Sequence, residues 1–264
     1  MKMLLGHEWV DRDDTIDVRD PFDDSIIDTV PAANHDDVEM ALATADKAKE
    51  TARAMTTYER ARVLYGTAQI IAGRIDEFAE VIAREGSKTI NEARGEARRC
   101  VNTLTISAEE AKRCQGETIP FDSFPGGEVR SGHYERVPIG VVLAITPFND
   151  PLNLVAHKLG PAIAGGNAVI LKPATVTPLS ALKLTEAFME AGLPAGVLQC
   201  ITGYGAVLGD ALVEDSRVRM VSFTGGVEAG ERIMSRIGLK KVGMELGSNS
   251  PVIVWKDADP VSYT

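Results

Sequence analysis

The sequence predicts an α/β fold built on a parallel sheet with helices on both faces. Three observations carry this. From Ile139 onward, short apolar runs alternate with helix-length stretches, the pattern of strands buried on both faces and joined by helical crossovers. Ahead of that region, helical composition runs from about residue 36 to Gln115. Clusters of Gly, Pro, Asn, Lys and Thr follow the apolar runs, at the strand ends where open parallel sheets hold their ligands.

Taken in order, residues 1–30 read as short strands and turns, with 15–18 and 25–30 flanking the turn-like Asp20-Pro21-Phe22-Asp23-Asp24. Asp36-Asp37 reads as a cap and acidic first turn for a helix through Val38, Leu42 and Ala45. Leu64, Ala68, Ile71, Ile75, Phe78 and Ile82 recur at three- and four-residue steps, giving one apolar face. Gly86 and Gly116 read as stops. Residues 117–138 are rich in Gly and Pro, with a turn at Pro125-Gly126-Gly127 and alternation over 128–137. They read either as a hairpin arm or as a plain surface loop. Strands are expected at 141–145, 168–171, 197–201, 218–223 and 252–255, and helices at about 153–164, 179–191, 206–214 and 227–237.

Composition narrows the function classes. The 264 residues are 44% hydrophobic and 25% charged, with a net charge of −10, and they can bury a sizeable core. The first 40 residues hold 12 acids and 3 bases, so the remainder is close to neutral. No basic stripe offers itself to nucleic acid or to an anionic membrane surface. The longest apolar runs, such as 139–145, fall far short of the roughly 20 residues of a transmembrane helix. The start MKMLLGHEWV lacks a signal-peptide pattern. Cys100, Cys114 and Cys200 are the sparse, odd set of a reducing compartment, so a cytoplasmic location is expected. Fourteen helical residues separate Cys100 and Cys114 by roughly 21 Å, beyond disulfide reach. The four histidines are scattered and no metal site is expected.

The strand ends hold the candidate chemistry. After 141–145 comes Thr146-Pro147-Phe148-Asn149-Asp150-Pro151. Two prolines stiffen this loop around Asn149, whose amide can point at a developing oxyanion or merely cap the next helix. After 168–171 comes Lys172-Pro173-Ala174-Thr175, where Lys172 and Thr175 can reach a ribose or phosphate, or Lys172 can be a solvated surface lysine. Gly203-Tyr204-Gly205-Ala206-Val207-Leu208-Gly209 and Thr224-Gly225-Gly226-Val227-Glu228-Ala229-Gly230 are strand–turn–helix units whose bare amides can face a diphosphate. Their spacing is not the usual dinucleotide fingerprint. Glu245 sits in the otherwise uncharged Val242-Gly243-Met244-Glu245-Leu246-Gly247. Partial desolvation there would raise its pKa and suit it to general-base work; pairing with a helix end or an arginine is the alternative.

Together, in order and spacing, PFN, KPATVTP, GYGAVLG, FTGG and MELG resemble the aldehyde dehydrogenase superfamily over essentially the whole chain. The resemblance implies a Rossmann-type coenzyme-binding fold over 1–264, an N-terminal helical stretch and an oligomerisation hairpin at 117–138. It implies NAD or NADP as coenzyme, a small aldehyde as substrate and a homo-oligomer. Carried over, Asn149 would stabilise the oxyanion and Glu245 would activate the deacylating water, which argues against the CoA-acylating branch. Ile145, Thr146, Pro147, Phe148, Lys172, Thr175, Gly205, Gly209, Thr224, Gly225, Gly230 and Leu246 would line the coenzyme cleft. Many NAD-preferring relatives carry Glu at the position of Thr175, so Thr175 leans the expectation toward NADP.

This sequence also departs from the family. The family's nucleophilic cysteine lies C-terminal to the glutamate, yet no Cys follows Glu245. Gly226 stands where the family commonly has Ser, and Ser248 where it commonly has Gly. The expectation is therefore the coenzyme-binding half of a non-acylating dehydrogenase, with the catalytic domain missing. A non-catalytic coenzyme-binding remnant or inactive partner is the alternative. The resemblance leaves lactaldehyde, glyceraldehyde 3-phosphate, phosphonoacetaldehyde and succinate semialdehyde open as substrates.

Overall fold

The computed structural model describes residues 1–258. Two short hairpins open the chain. Strands β1 (Met3–Leu5) and β2 (Glu8–Val10) turn at Gly6, whose φ of +66° suits a tight hairpin. Strands β3 (Thr15–Arg19) and β4 (Ile26–Pro31) pair antiparallel on their own, close to the short strands expected at 15–18 and 25–30.

The helical stretch is four helices: α1 (His35–Ala54), α2 (Thr57–Gly73), α3 (Ile75–Gly86) and α4 (Ile90–Arg113). Three start on a capping box: Asn34 with Asp37, Thr56 with Glu59, and Thr89 with Glu92. In each, the cap side chain accepts the third helical N–H while the acid returns to the cap's own amide. The first helix therefore begins at Asn34 rather than at Asp36-Asp37; Asp37 is the reciprocal partner. Gly86 closes α3, and Gly116 lies just past the end of α4.

Residues 117–138 form a hairpin, but a short one. Strands β5 (Glu117–Thr118) and β6 (His133–Tyr134) pair antiparallel, and irregular chain with one 3₁₀ turn at Phe121–Ser123 links them. The alternation expected over 128–137 becomes strand only at two residues, because among the described residues no strand lies beside the rest to pair with it.

The second half alternates as expected: β7 (Val141–Ile145), α5 (Asn153–Ala164), β8 (Ala168–Lys172), α6 (Leu179–Glu190), β9 (Leu198–Cys200), α7 (Gly205–Glu214), β10 (Val218–Thr224), α8 (Val227–Arg236) and β11 (Lys241–Glu245). The sheet order is β11-β10-β7-β8-β9-β1-β2. Its first five strands run parallel, and β1 and β2 extend it antiparallel beyond β9. In order of appearance the parallel strands lie 3-2-1-4-5, the doubly wound arrangement, with its reversal between β7 and β10.

One correction concerns the chain's last part. The fifth parallel strand is β11, not 252–255. Residues 252–255 run without strand pairing and are exposed, Val252 at 85%. Their apolar side chains have no layer to face among the described residues.

Two cores explain why the parallel strands read as unbroken apolar runs. Val142, Ala144, Val169 and Leu171 pack under α2, α4, α5 and α6. Their alternating neighbours Val141, Leu143, Ala168 and Ile170 pack under α1 and α7. Successive side chains of a strand point to opposite faces, so every residue of β7 from Val141 to Ala144 is buried. Among the described residues, no helix is long and apolar enough to cross a membrane.

Candidate functional site

The switch point lies where β7 and β10 diverge at their carboxyl ends, and a cavity of about 830 Å³ opens there. Pro147, Phe148 and Asn149 line it from the loop after β7, Thr224, Gly225 and Gly226 from the end of β10, and Glu245, Leu246 and Gly247 from the end of β11. His157 and Lys158 of α5 close one wall. The structure thus brings Asn149 and Glu245 to one cavity although 96 residues separate them.

Asn149 is exposed toward this space and its side chain makes no hydrogen bond among the described residues. The capping alternative fails, because α5 starts at Asn153 with Leu152 at the cap position. Glu245 differs from expectation. It is exposed rather than partly desolvated, since β11 is the sheet's edge and β10 covers only one side of it. It makes no salt bridge among the described residues, so the pairing alternative fails too.

Sequence reasoning missed Lys158. It is buried to 8% exposure, and its Nζ donates to Ser222 Oγ (3.1 Å) and Thr224 Oγ1 (2.9 Å). Burial pulls its pKa down to about 8, with the nearby Glu245 charge opposing the shift. The available signal was a single lysine within the otherwise apolar helix around Val155, Ala156 and Leu159. His157 was also missed. Its Nε2 lies 3.3 Å from Asn153 Nδ2 and 3.4 Å from Thr103 Oγ1, giving the α5 wall a polar character.

The remaining predicted residues form a second group beside this cavity. Lys172 ends β8, buried, with Nζ donating to Pro173 O at 2.9 Å; the solvated-surface alternative does not hold. Desolvation lowers its pKa to about 8. Thr175 donates its hydroxyl to Gly203 O (3.0 Å), tying the loop after β8 to the loop after β9. With Phe148 and Tyr204 it lines a smaller cavity of about 430 Å³. Ile145 and Thr146 join the two groups at the tip of β7. Thr146 Oγ1 is buried with no hydrogen-bond partner, an arrangement a native fold rarely leaves unexplained.

The glycines divide by cause. A Cβ at Gly225 would meet the Phe223 ring at 2.5 Å, and one at Gly230 would meet Leu246 Cδ2 at 2.6 Å. Packing within the chain explains both. A Cβ at Gly205 or Gly209 would meet nothing within 4 Å, so the chain's own packing does not demand glycine there. The amide of Gly225 is already donated to Glu245 O (3.1 Å) and is not bare as expected. Beyond it, α7 and α8 begin without any side-chain cap, in contrast to the boxed starts of α1, α2 and α4. Uncapped N–H groups at a helix start carry partial positive charge and suit an anion. Helices α7 and α8 are joined by Arg232–Asp210 (2.7 Å) and Arg236–Glu214 ion pairs.

Cys100 and Cys200 are buried, where desolvation raises both thiols, Cys200 to about 12. Cys114 is exposed at the end of α4. No cysteine lines the cavity.

A doubly wound sheet with an orphaned Thr146 hydroxyl and an uncapped α8 start at its switch point, and an uncapped α7 start after β9, has the build of a dinucleotide-coenzyme-binding α/β unit. The comparisons agree. Residues 9–263 match the aldehyde dehydrogenase family. The 3-sulfolactaldehyde dehydrogenase of Priestia megaterium is 50% identical over 97% of this chain and 54% of its own length. The lactaldehyde dehydrogenase of Methanocaldococcus jannaschii is 37% identical over 97% of this chain and 55% of its own. The NADP-dependent glyceraldehyde-3-phosphate dehydrogenase of Bacillus halodurans, solved with NADP, superposes with a TM-score of 0.91 at 39% identity, covering 98% of this chain and 55% of that one. The chain belongs to the aldehyde dehydrogenase family, and it spans about half the length of these relatives.

Proposed function

We propose that this chain supplies the coenzyme-binding half of an enzyme oxidising a small aldehyde to its carboxylic acid with NADP or NAD, without transfer to CoA. The observation carrying the reading is the convergence of Asn149, Glu245 and Lys158 on one cavity at the carboxyl ends of the parallel strands. The bound coenzyme supplies the hydride acceptor. Thr146, with its unpartnered buried hydroxyl, and the open edges of Gly205 and Gly209 fit such a group. Lys172 and Thr175 stand on the ribose side, and Ile145, Pro147, Phe148, Thr224, Gly225, Gly230 and Leu246 shape the rest of the cleft.

Within the cavity, Asn149 donates from its amide to an oxyanion forming on the substrate carbon. A neutral donor suits this because it needs no proton transfer. Glu245 takes a proton from the water that releases the acid product. Lys158, its ammonium donating to Ser222 and Thr224 on the same cavity, holds positive charge near the Glu245 carboxylate. His157 and Lys158 put two polar side chains on the α5 wall of the cavity, which favours short polar aldehydes over long alkyl ones. Relatives named for 3-sulfolactaldehyde and lactaldehyde support this size and polarity. The 117–138 hairpin, with Ile119, Phe124, Val129 and Val137 exposed, supports a homo-oligomer, and we place the protein in the cytoplasm.

The absence of a cysteine from the cavity favours a second reading, a non-catalytic coenzyme-binding protein. Reading the coding sequence past Thr264 for a nucleophilic cysteine, then assaying NADPH formation from lactaldehyde, separates the two. Turnover dependent on that cysteine supports the enzyme. No cysteine and no turnover supports the remnant.

A further inference from the structure

The loop carrying Asn149 is gripped from behind by a charged cluster that belongs to the helical layer and not to the cavity. Helix α5 begins without a side-chain cap of its own. Glu96, from the middle of α4 and 0% exposed, fills the role from outside. Its Oε1 accepts the backbone amides of Leu152 (2.8 Å) and Asn153 (3.0 Å). Its Oε2 accepts Lys88 Nζ at 2.6 Å. The same Lys88 ammonium donates to Asp150 Oδ1, and Arg99 holds Asp150 Oδ2 at 2.8 Å. Asp150 directly follows Asn149.

Burying a carboxylate is costly unless its oxygens are satisfied and its charge is paired. Here both conditions are met, and the beneficiaries are Asp150, Leu152 and Asn153. On the other side, the amide of Thr146 is tied to Lys172 O at 3.2 Å. The segment is therefore anchored at 146 and again from 150 to 153. Only Pro147, Phe148 and Asn149 lie between, and Pro147 has little backbone freedom. Glu85 offers a contrast. It holds the start of α6 through Leu179 and Ser180 amides, both at 2.7 Å, with no ion pair among the described residues. Of the two helix starts held by a buried glutamate, it is α5, behind the loop that carries Asn149, that has the added lysine and arginine.

Resting on the reading of Asn149 as oxyanion donor, we infer that Glu96, Lys88 and Asp150 are positioning residues that fix where the Asn149 amide points. A donor aimed at a developing charge acts only within a narrow geometry, and small displacements cost rate steeply.

The test needs no turnover. In the 264-residue chain labelled with ¹⁵N-asparagine, the side-chain amide pair of Asn149 is identified by its loss in Asn149→Asp. Lys88→Met and Asp150→Asn should each shift and broaden that pair, while the exposed Lys47→Met leaves it in place. Lys88 and Asp150 lie at the partly exposed end of the cluster, so these variants carry the test even if Glu96→Gln fails to fold. An unmoved Asn149 pair in both variants overturns the inference. In the full-length protein, Lys88→Met should lower kcat about 10- to 100-fold with KM within twofold. In an Asn149→Ala background the same change should have almost no further effect. An undiminished second effect would make the cluster merely structural and also overturn the inference. Absence of any aldehyde oxidation would defeat the proposed function and leave the amide measurement as the judge of positioning.

Discussion

At the residue scale, the chemistry of the site rests on a few side chains whose neighbours decide their state. Asn149 is exposed and its side chain is without a hydrogen bond among the described residues, while Leu152 occupies the helix cap. Asn149→Ala should therefore leave the melting temperature within about 1 °C, yet lower kcat of the full-length protein by roughly 10²–10³, the cost of one oxyanion donor. A drop in stability without a kinetic effect would return Asn149 to a structural role. Thr175 spends its hydroxyl hydrogen on Gly203 O and itself brings no carboxylate to the cavity it lines with Asp17, Arg19 and Glu85, so on the proposed reading it adds no repulsion to a 2′-phosphate. Thr175→Glu should weaken NADP binding at least tenfold more than NAD binding. Equal rejection of NADP by wild type and variant would refute this. The sequence made Asn149, Lys172 and Glu245 legible because each ends an apolar strand. Lys158 was illegible for the converse reason: it lies mid-helix, and only the fold turns it toward Ser222 and Thr224.

At the element scale, the helix starts sort into three kinds. Helices α1, α2 and α4 cap themselves, α5 and α6 borrow buried glutamates, and α3, α7 and α8 start without a side-chain cap. The first kind could be read from sequence, since a capping box is local. The second could not, because Glu85 and Glu96 lie 94 and 56 residues from the amides they hold. Glu85 gives a measurable consequence. Burial lifts its pKa from 4.5 to about 7, against the pull of the Leu179 and Ser180 amides. A carboxyl raised in the folded state stabilises fully below its unfolded pKa and loses that contribution as pH rises through the folded one. Relative to Glu85→Gln, wild type should thus lose about 3 kcal/mol between pH 4.5 and pH 7.5. Urea unfolding at the two pH values measures it, and parallel curves for both proteins would contradict it. The misplaced last strand has a physical cause as well. Residues 252–255 are wholly apolar, whereas 241–245 carry Lys241 and Glu245 at their ends and so read less like a buried strand, yet it is 241–245 that reaches the free edge of β10.

At the scale of the whole molecule, the doubly wound order and the two cores were foreseeable from strand–helix alternation, but the N-terminal hairpin's place beyond β9 was not. That pairing rests on Leu4 opposite Cys200 and on Gln199 bonded to both polar groups of Gly6, contacts without a local signature. Exposed Val252, Ile253 and Trp255, together with the unpaired edge of β11 and the apolar hairpin at 117–138, leave much apolar surface open. The 264-residue chain should therefore self-associate and show no aldehyde oxidation, since no thiol lines its cavity. Turnover that survived joint replacement of Cys100, Cys114 and Cys200 by Ser would contradict this. The central claim, that the switch point holds a nicotinamide coenzyme, is tested most directly by titrating the chain into NADPH and following nicotinamide fluorescence. Saturable binding, weakened at least tenfold by Lys172→Met and by Gly205→Val, is the result predicted. Binding that is absent, or indifferent to both substitutions, would contradict it.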